Sequence, residues 1–437
     1  MTTSLLTDHY ELTALEAALQ SGVGARRSVF EVFARGLPTG RRYGVVAGTA
    51  RVLAAIDAFR FDPEVVAWLS DRAIVGRNTL DWLAAYRFSG NVDGYREGEL
   101  YFPHSPVLTV EATFAEALIL ETVILSILNH DSAIASAAAR MVDAAAGRGL
   151  IEGGGRRTHE LAAVDCARAA YLAGFDVTSN LEAGRRYGIP TAGTTMHAFT
   201  LAHCDERAAF DAQIRTFGAG TTFLVDTFDI EAGVEAAVAA CGAVGRAPGA
   251  IRIDSGDLAE EARRARVQLD RLGAETTRIV VSGDLDEHSI ANLADAPVDR
   301  YLVGTRLVTG SGAPTAGMVY KLVAIADGDD SLVLRPVEKR SKAKVSIGGR
   351  KVATRLLDDE GYAYDEHVVV RAVPPRFGGD GPYGRELQVP LVRGGETVSQ
   401  TSLADARAHC AQARSELRPM HRDLTPGVAA LDGAPGR

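Results

Sequence analysis

The segment IRIDSGDL, residues 251–258, decides how this chain is read. An apolar, β-rich run ends at Asp254, and Ser255-Gly256-Asp257 then turns the chain towards a helical pattern beginning near Leu258. The arrangement recurs at VVSGDLDE (280–287) and YLVGTRLVTG (301–310), and a related one precedes it at GTTMHAF (193–199). Strand ends are expected in IPTAG, TTFLVD, GAIRID, TRIVVS and YLVG, at intervals of roughly 22–33 residues, the size of a βα unit in a barrel or doubly wound sheet. Such a sheet presents small, acidic and hydroxyl residues at its carboxyl edge, where phosphates and riboses bind.

Outward from this core the texture changes. Leu12, Leu15 and Leu19 have helical spacing within residues 8–22, and SVFEVFARGLP (28–38) alternates like a strand that stops at a proline. Residues 111–149 read as a connecting helical segment and 150–325 as the βα region. SKAKVSIGGRKVATRLL and EHVVVRAV then read as antiparallel strands. This predicts a mixed α+β domain built from 1–110 and 326–420, followed by a frayed tail at 421–437.

Composition narrows the function class. The chain has 437 residues, 46% hydrophobic and 24% charged, with a formal net charge of −9. That balance argues against non-specific binding to nucleic acid or an anionic membrane, while leaving room for local anion sites. Cys166, Cys204, Cys241 and Cys410 are scattered, with no CxxC pair, so a disulfide framework or structural zinc is not expected. The N-terminus lacks a signal-peptide pattern. The apolar stretch Ala117–Leu128 contains Glu121 and is too short to span a bilayer. A cytoplasmic enzyme is the expectation.

Several residues can carry chemistry, each with a plainer alternative. Asp254 can bind ribose hydroxyls or Mg2+, and Ser255-Gly256 offers exposed N–H groups; Ser255 and Asp257 are equally good helix caps. Gly283-Asp284 and Gly304-Thr305 have the make-up of phosphate cradles, or of ordinary tight turns. His197 can accept a phosphoryl group or shuttle a proton, or be a polar loop residue. Arg156-Arg157 after three glycines suits an anion or a solvated loop. The basic run from Lys339 to Lys351 suits polyphosphate, or blunts an edge strand.

Taken together the motifs resemble nicotinate phosphoribosyltransferases. The likeness runs through LLTDHYELT (5–13), FEVFARGLP (30–38), LET (120–122), GRRTHELAAVDCARAAYLAGFDVTSN (155–180), IPTAGTTMHAF (189–199), MVYKLV (318–323) and SKAKVSIGGRKVATR (341–355). It implies the α/β fold of that family, an irregular TIM-like α/β barrel beside a second, smaller mixed α+β domain. It also implies a homodimer with shared sites. The implied reaction forms nicotinate mononucleotide and diphosphate from nicotinate and phosphoribosyl diphosphate, with Mg2+, coupled to ATP hydrolysis through a phosphohistidine, in NAD salvage. By resemblance His197 is the phosphorylated histidine. Tyr10 reaches the pyridine from the other subunit, and Arg156, Thr194 and Arg252 contact ring or carboxylate. Asp226, Asp254 and Asp257 surround ribose and magnesium, with Asp254 and Asp257 catalytic and Ser255 beside them. Gly283, Asp284, Gly304 and Thr305 hold the 5′-phosphate, and Arg35 and the 339–351 segment meet the diphosphate.

Two departures stand out. Gly153 replaces a bulky residue of many relatives, and RRTH (156–159) replaces RRAQ. The rivals are a nicotinamide phosphoribosyltransferase and a non-catalytic barrel that senses phosphoribosyl compounds. Neutral Thr178-Ser179-Asn180 favours the acid over the amide, although Asp176 is close in sequence.

Overall fold

The computed structural model describes residues 2–329, 331, 333–341, 344–345, 347–370 and 384–431. The chain divides into two compact units, Met1–Ser136 with Ala313–Arg437, and Ala137–Gly312.

The second unit is a parallel sheet of six strands: β1 (Gly149–Glu152), β2 (Val177–Thr178), β3 (Thr222–Leu224), β4 (Ala250–Ile253), β5 (Arg278–Val281) and β6 (Arg300–Val303). Their order is β2-β1-β6-β5-β4-β3. Among the described residues β2 and β3 do not pair, so the sheet is open, a half-barrel rather than the TIM-like barrel expected. Side chains alternate across it. Ile251, Ile253, Ile279, Val281, Tyr301 and Val303 are fully buried. Ile151, Arg252, Val280 and Leu302, from the alternate positions, line a cavity.

Turn chemistry explains where several helices of this unit begin, including those that follow β2, β3, β4 and β5. Asn180, Asp205, Asp229, Asp257 and Asp286 each stand at a helix N-cap and accept a backbone N–H of the first turn. These bonds satisfy donors that a helix start otherwise leaves bare, at about 1 kcal/mol each.

The first unit is built on an antiparallel seven-stranded sheet. Its strands run in the order 334–336, 318–326, 27–34, 108–113, 91–95, 388–393, 396–397. N- and C-terminal segments therefore interleave in this sheet. Helix His9–Gln20 buries Leu12 and Leu15, each contributing about 1.5–3 kcal/mol. Phe30 stacks on Tyr320 across neighbouring strands, ring centroids 4.9 Å apart.

Two boundaries and the relative size of the units differ from expectation. The βα unit ends at Gly312 rather than 325, because Met318–Ala326 pairs antiparallel with Arg27–Ala34. The mixed unit is the larger one, because its main sheet draws strands from both ends of the chain. Within the expected connecting segment 111–149, Glu111–Thr113 closes a strand, Glu121–Ala145 is one helix and Gly149 opens the parallel sheet. The polar NHD of that helix is structural: Asn129 brackets both backbone groups of Met318, and Asp131 pairs with Arg51. Phe114–Ala145 is long and apolar enough to cross a membrane, contrary to the short stretch expected, but 67% of its most apolar window is buried within the chain. The tail is not frayed as far as Leu431, since Ala430 N–H donates to Arg42 O at 2.7 Å.

Candidate functional site

The carboxyl ends of β3, β4 and β5 are joined by one hydrogen-bonded relay. Asp226, two residues past β3, accepts from the Asp254 backbone N–H at 2.8 Å and from Ser255 Oγ at 2.9 Å, all through Oδ2. Asp254 in turn accepts from Ser282 Oγ. The Asp226 side chain is 1% exposed and its Oδ1 is buried without a hydrogen-bond partner. An unsatisfied buried carboxylate oxygen is costly and marks a place where a ligand or charge belongs. Oδ1 faces His197, whose Nε2 is 3.9 Å away. Thr227 orients the other face of that ring, with Oγ1 3.2 Å from Nδ1.

Arg252 lies one pleat before Asp254, on the cavity side. It donates from Nη1 to Thr194 Oγ1 at 2.9 Å, and its Nε is buried without a partner. Burial lowers its pKa, Asp254 and Asp226 oppose the shift, and Arg156 adds to it. The guanidinium therefore has unmet capacity for an anion. Arg156, Thr194, Arg252, Asp254 and Ser282 all border a cavity of about 480 Å3.

Next to the relay the backbone is exposed for close approach. Gly283 has φ +119°, and a Cβ there would lie 2.8 Å from Asp254 O. Asp284 is left-handed at φ +47°, rare for a residue with a side chain. Gly304 caps the short helix Thr305–Val308 at φ −118° and ψ −103°. Asp257 is spent on capping, accepting from Ala259 N–H at 3.1 Å and Glu260 N–H at 3.2 Å.

The comparisons with known proteins meet this geometry. Residues 5–129 match the nicotinate phosphoribosyltransferase (NAPRTase) N-terminal domain. A nicotinate phosphoribosyltransferase of Mycobacterium tuberculosis, pncB1, is 57% identical over 435 residues, covering 98% of this chain and 94% of that protein. The chain belongs to the nicotinate phosphoribosyltransferase family. The Bacillus subtilis nicotinate phosphoribosyltransferase is 36% identical over 84% of this chain and 77% of its own length. The crystal structure of human nicotinic acid phosphoribosyltransferase superposes with a TM-score of 0.82 at 25% identity, covering 97% of both chains.

Against that family several expectations gain detail. At Gly153 a Cβ would come within 2.6 Å of Leu302 Cδ2, so Leu302 fills the space that a side chain here would need. Asp176 accepts from Leu150 N–H at 3.1 Å near the start of β1, away from the strand-end relay. Thr178 donates to buried Glu152, Ser179 lines the cavity and Asn180 caps a helix. His159 also caps a helix, accepting from Leu161 N–H at 3.3 Å.

Tyr10 and Arg35 belong to the first unit. Tyr10 is 51% exposed, its pKa raised by burial and by Glu121. Arg35 follows strand 27–34, with Nε buried and unpartnered. In the 339–351 segment, Arg350 and Lys351 are not a free clamp. Arg350 is buried against Asp93 and Glu111, and Lys351 Nζ donates to Glu31 at 2.9 Å. Lys342 and Ala343 lie outside the described residues. Sequence reasoning passed over Thr227 and Glu152. TTFLVDT (221–227) carries the first signal, a hydroxyl immediately after a strand-end acid; nothing in GLIEGGG distinguished the second.

Proposed function

We propose that this chain forms nicotinate mononucleotide and diphosphate from nicotinate and phosphoribosyl diphosphate, in salvage of the pyridine into NAD. The observation that carries the reading is the Arg252–Thr194 pair beside the Asp226–Asp254–Ser282 relay: a carboxylate-binding group next to acids suited to a ribosyl centre. The identity to the Mycobacterium tuberculosis enzyme supports it.

In this reading Arg252 takes the nicotinate carboxylate and aligns the ring, and Arg156 closes over it. The pyridine nitrogen attacks C1 of the ribose as the C1–O bond breaks, its electron pair leaving with diphosphate and C1 inverting. Asp254, held by Ser282 and by the Asp226 relay, stabilises the positive charge that builds on the ribosyl ring. The backbone at Gly283-Asp284 and Gly304-Thr305 receives the 5′-phosphate.

Among the described residues no group of three His, Cys, Asp or Glu is placed to hold a metal. Asp254 would hold a Mg2+ arriving with the diphosphate, and the ion would neutralise charge on the leaving group. His197 Nε2 is the acceptor we assign for the ATP phosphoryl group, its ring oriented by Thr227 through Nδ1. Phosphorylation there places a dianion near the unsatisfied Asp226 oxygen, and like-charge repulsion gives ATP a lever on the loop that Asp226 anchors. The exposed Tyr10 ring suits contact with a second copy of the chain, in a homodimer with shared sites.

The test is an incubation of the full chain with phosphoribosyl diphosphate, Mg2+ and either base, with and without ATP. Nicotinate mononucleotide should form faster with ATP, and His197→Ala should lose the ATP stimulation while keeping a basal rate. Product from nicotinamide alone, or undiminished stimulation in His197→Ala, contradicts the reading.

A further inference from the structure

The cavity does not stop at Arg252. Its lining continues to the amino end of the sheet through Gly220, Gly249, Arg278 and Arg300. Strand register fixes how the cations are arrayed. Val280 pairs with Arg252 on one side and Arg300 on the other, and Arg278 pairs with Ala250 one pleat earlier. Residues paired in a parallel ladder, or two apart on one strand, share a face. Arg252, Arg278 and Arg300 thus surround Val280 on the cavity side.

Their chemical settings differ. Arg252 has Thr194 as a partner and Asp254 and Asp226 nearby. Arg278 and Arg300 have no hydrogen-bond or ion-pair partner among the described residues. Among the described residues the lining holds one carboxylate, Asp254, against four arginines. This concentration of positive charge occurs in a chain whose formal net charge is −9. Such unpaired cations in one cleft raise the local concentration of anions. Glycine lets the chain pack closely at this end: a Cβ at Gly249 would lie 2.1 Å from Gly220 O, and one at Gly149 3.0 Å from Arg300 Cγ.

We infer that Arg278 and Arg300 form a second anion-binding locus at the amino end of the sheet, which receives the carboxylate of a small aromatic acid and passes it along the cavity to Arg252. The inference rests on the proposed use of nicotinate, and it assigns to the cavity a charge-selective way in. Ile151, Val280 and Leu302 supply the apolar wall against which a flat ring can slide. An amide analogue gains nothing from the two arginines, so selection for the acid begins before the base reaches Arg252.

Calorimetric titration of the full chain with nicotinate and with nicotinamide, in the absence of phosphoribosyl diphosphate, tests this. Arg278→Gln/Arg300→Gln should weaken nicotinate binding on the order of tenfold, the scale for two charges removed at this range, and leave nicotinamide binding as in the parent. The dependence of nicotinate binding on salt should flatten. Arg278→Lys/Arg300→Lys keeps the charge and should restore most of the affinity, which separates charge from folding. Nicotinate affinity within twofold of the parent overturns the inference, and so does equal weakening for both bases. Because the readout is binding, it stands apart from whether the parent makes nicotinate mononucleotide, on which the functional reading depends.

Discussion

The two units differ in where charge is matched by the chain, although Arg35 Nε of the first is also unpartnered and Arg140–Glu287 of the second is also a buried pair. In the first, buried ions are matched across distant segments: Arg355 with Glu366, Arg350 with Asp93 and Glu111, Lys351 with Glu31, and Arg385 with Glu99 and Glu416. In the second, Asp226 Oδ1 and Arg252 Nε are buried without a hydrogen-bond partner at the strand ends, and exposed Arg278 and half-buried Arg300 have no partner among the described residues. Desolvating a charge is expensive unless it is paired. Charge matched by the chain itself is therefore architecture, and charge left unmatched around a cavity is capacity for a ligand. The Arg350 and Lys351 side chains show why the distinction matters. By sequence they belong to the densest basic run, yet their carboxylate partners consume them.

The largest effect that could break this comparison is on turnover. Asp254→Asn keeps the shape and the contact with Ser282 but removes charge, and should lower kcat about 10^2–10^3-fold with little change in Tm. A rate near the parent's would remove Asp254 from the chemistry. Arg350→Met tests the other half. It takes one cation from Asp93, which keeps Arg393, and one from Glu111, which keeps Arg27, and should cost about 1.5–3 kcal/mol of stability, read by denaturant unfolding, while activity per folded molecule stays close to the parent's.

Arg252→Gln sharpens the assignment of the unmatched charge. Loss of a charge-assisted hydrogen bond should reduce kcat/KM for nicotinate roughly 10–100-fold, with a much smaller change for nicotinamide. Equal losses for both bases would mean that Arg252 shapes the pocket without reading the carboxylate.

The smallest effect concerns Glu152, buried beneath the triglycine turn. Burial raises its carboxyl above the ordinary carboxylate value, while the Thr178 and Gly154 bonds pull it back. The folded state thus binds this proton more tightly than the unfolded chain does. The resulting stabilisation is complete below the unfolded value of about 4.3 and is lost as pH rises through the higher folded value. Glu152→Gln should accordingly show a flatter fall of Tm than the parent as pH rises above about 4.3. An unchanged slope would mean the proton plays no part.

Much of the site was legible because it lies where strands end. An apolar run followed by Asp, Ser and Gly names both a turn and a polar edge, so Asp226, Asp254, Ser282 and Gly283 could be located from local pattern alone. The boundary at Gly312 was not. MVYKLVAIA has the same apolar texture as the parallel strands, and periodicity does not distinguish a parallel partner from an antiparallel one. The ion pairs of Arg350 join residues 239 and 257 positions apart, and that of Lys351 spans 320. No window of sequence contains such a pair. Arg278 and Arg300 each look like a solvated residue at a strand start, and only the register brings them onto one face.

Hydrogen–deuterium exchange of the full chain with phosphoribosyl diphosphate and Mg2+ tests the contrast between the units most directly. Protection should appear at 254–257, 283–286 and 304–309, and strand 351–357 should exchange as it does without ligand. Protection concentrated at 349–357, with the strand-end loops unchanged, would return the diphosphate to the basic segment and contradict the account.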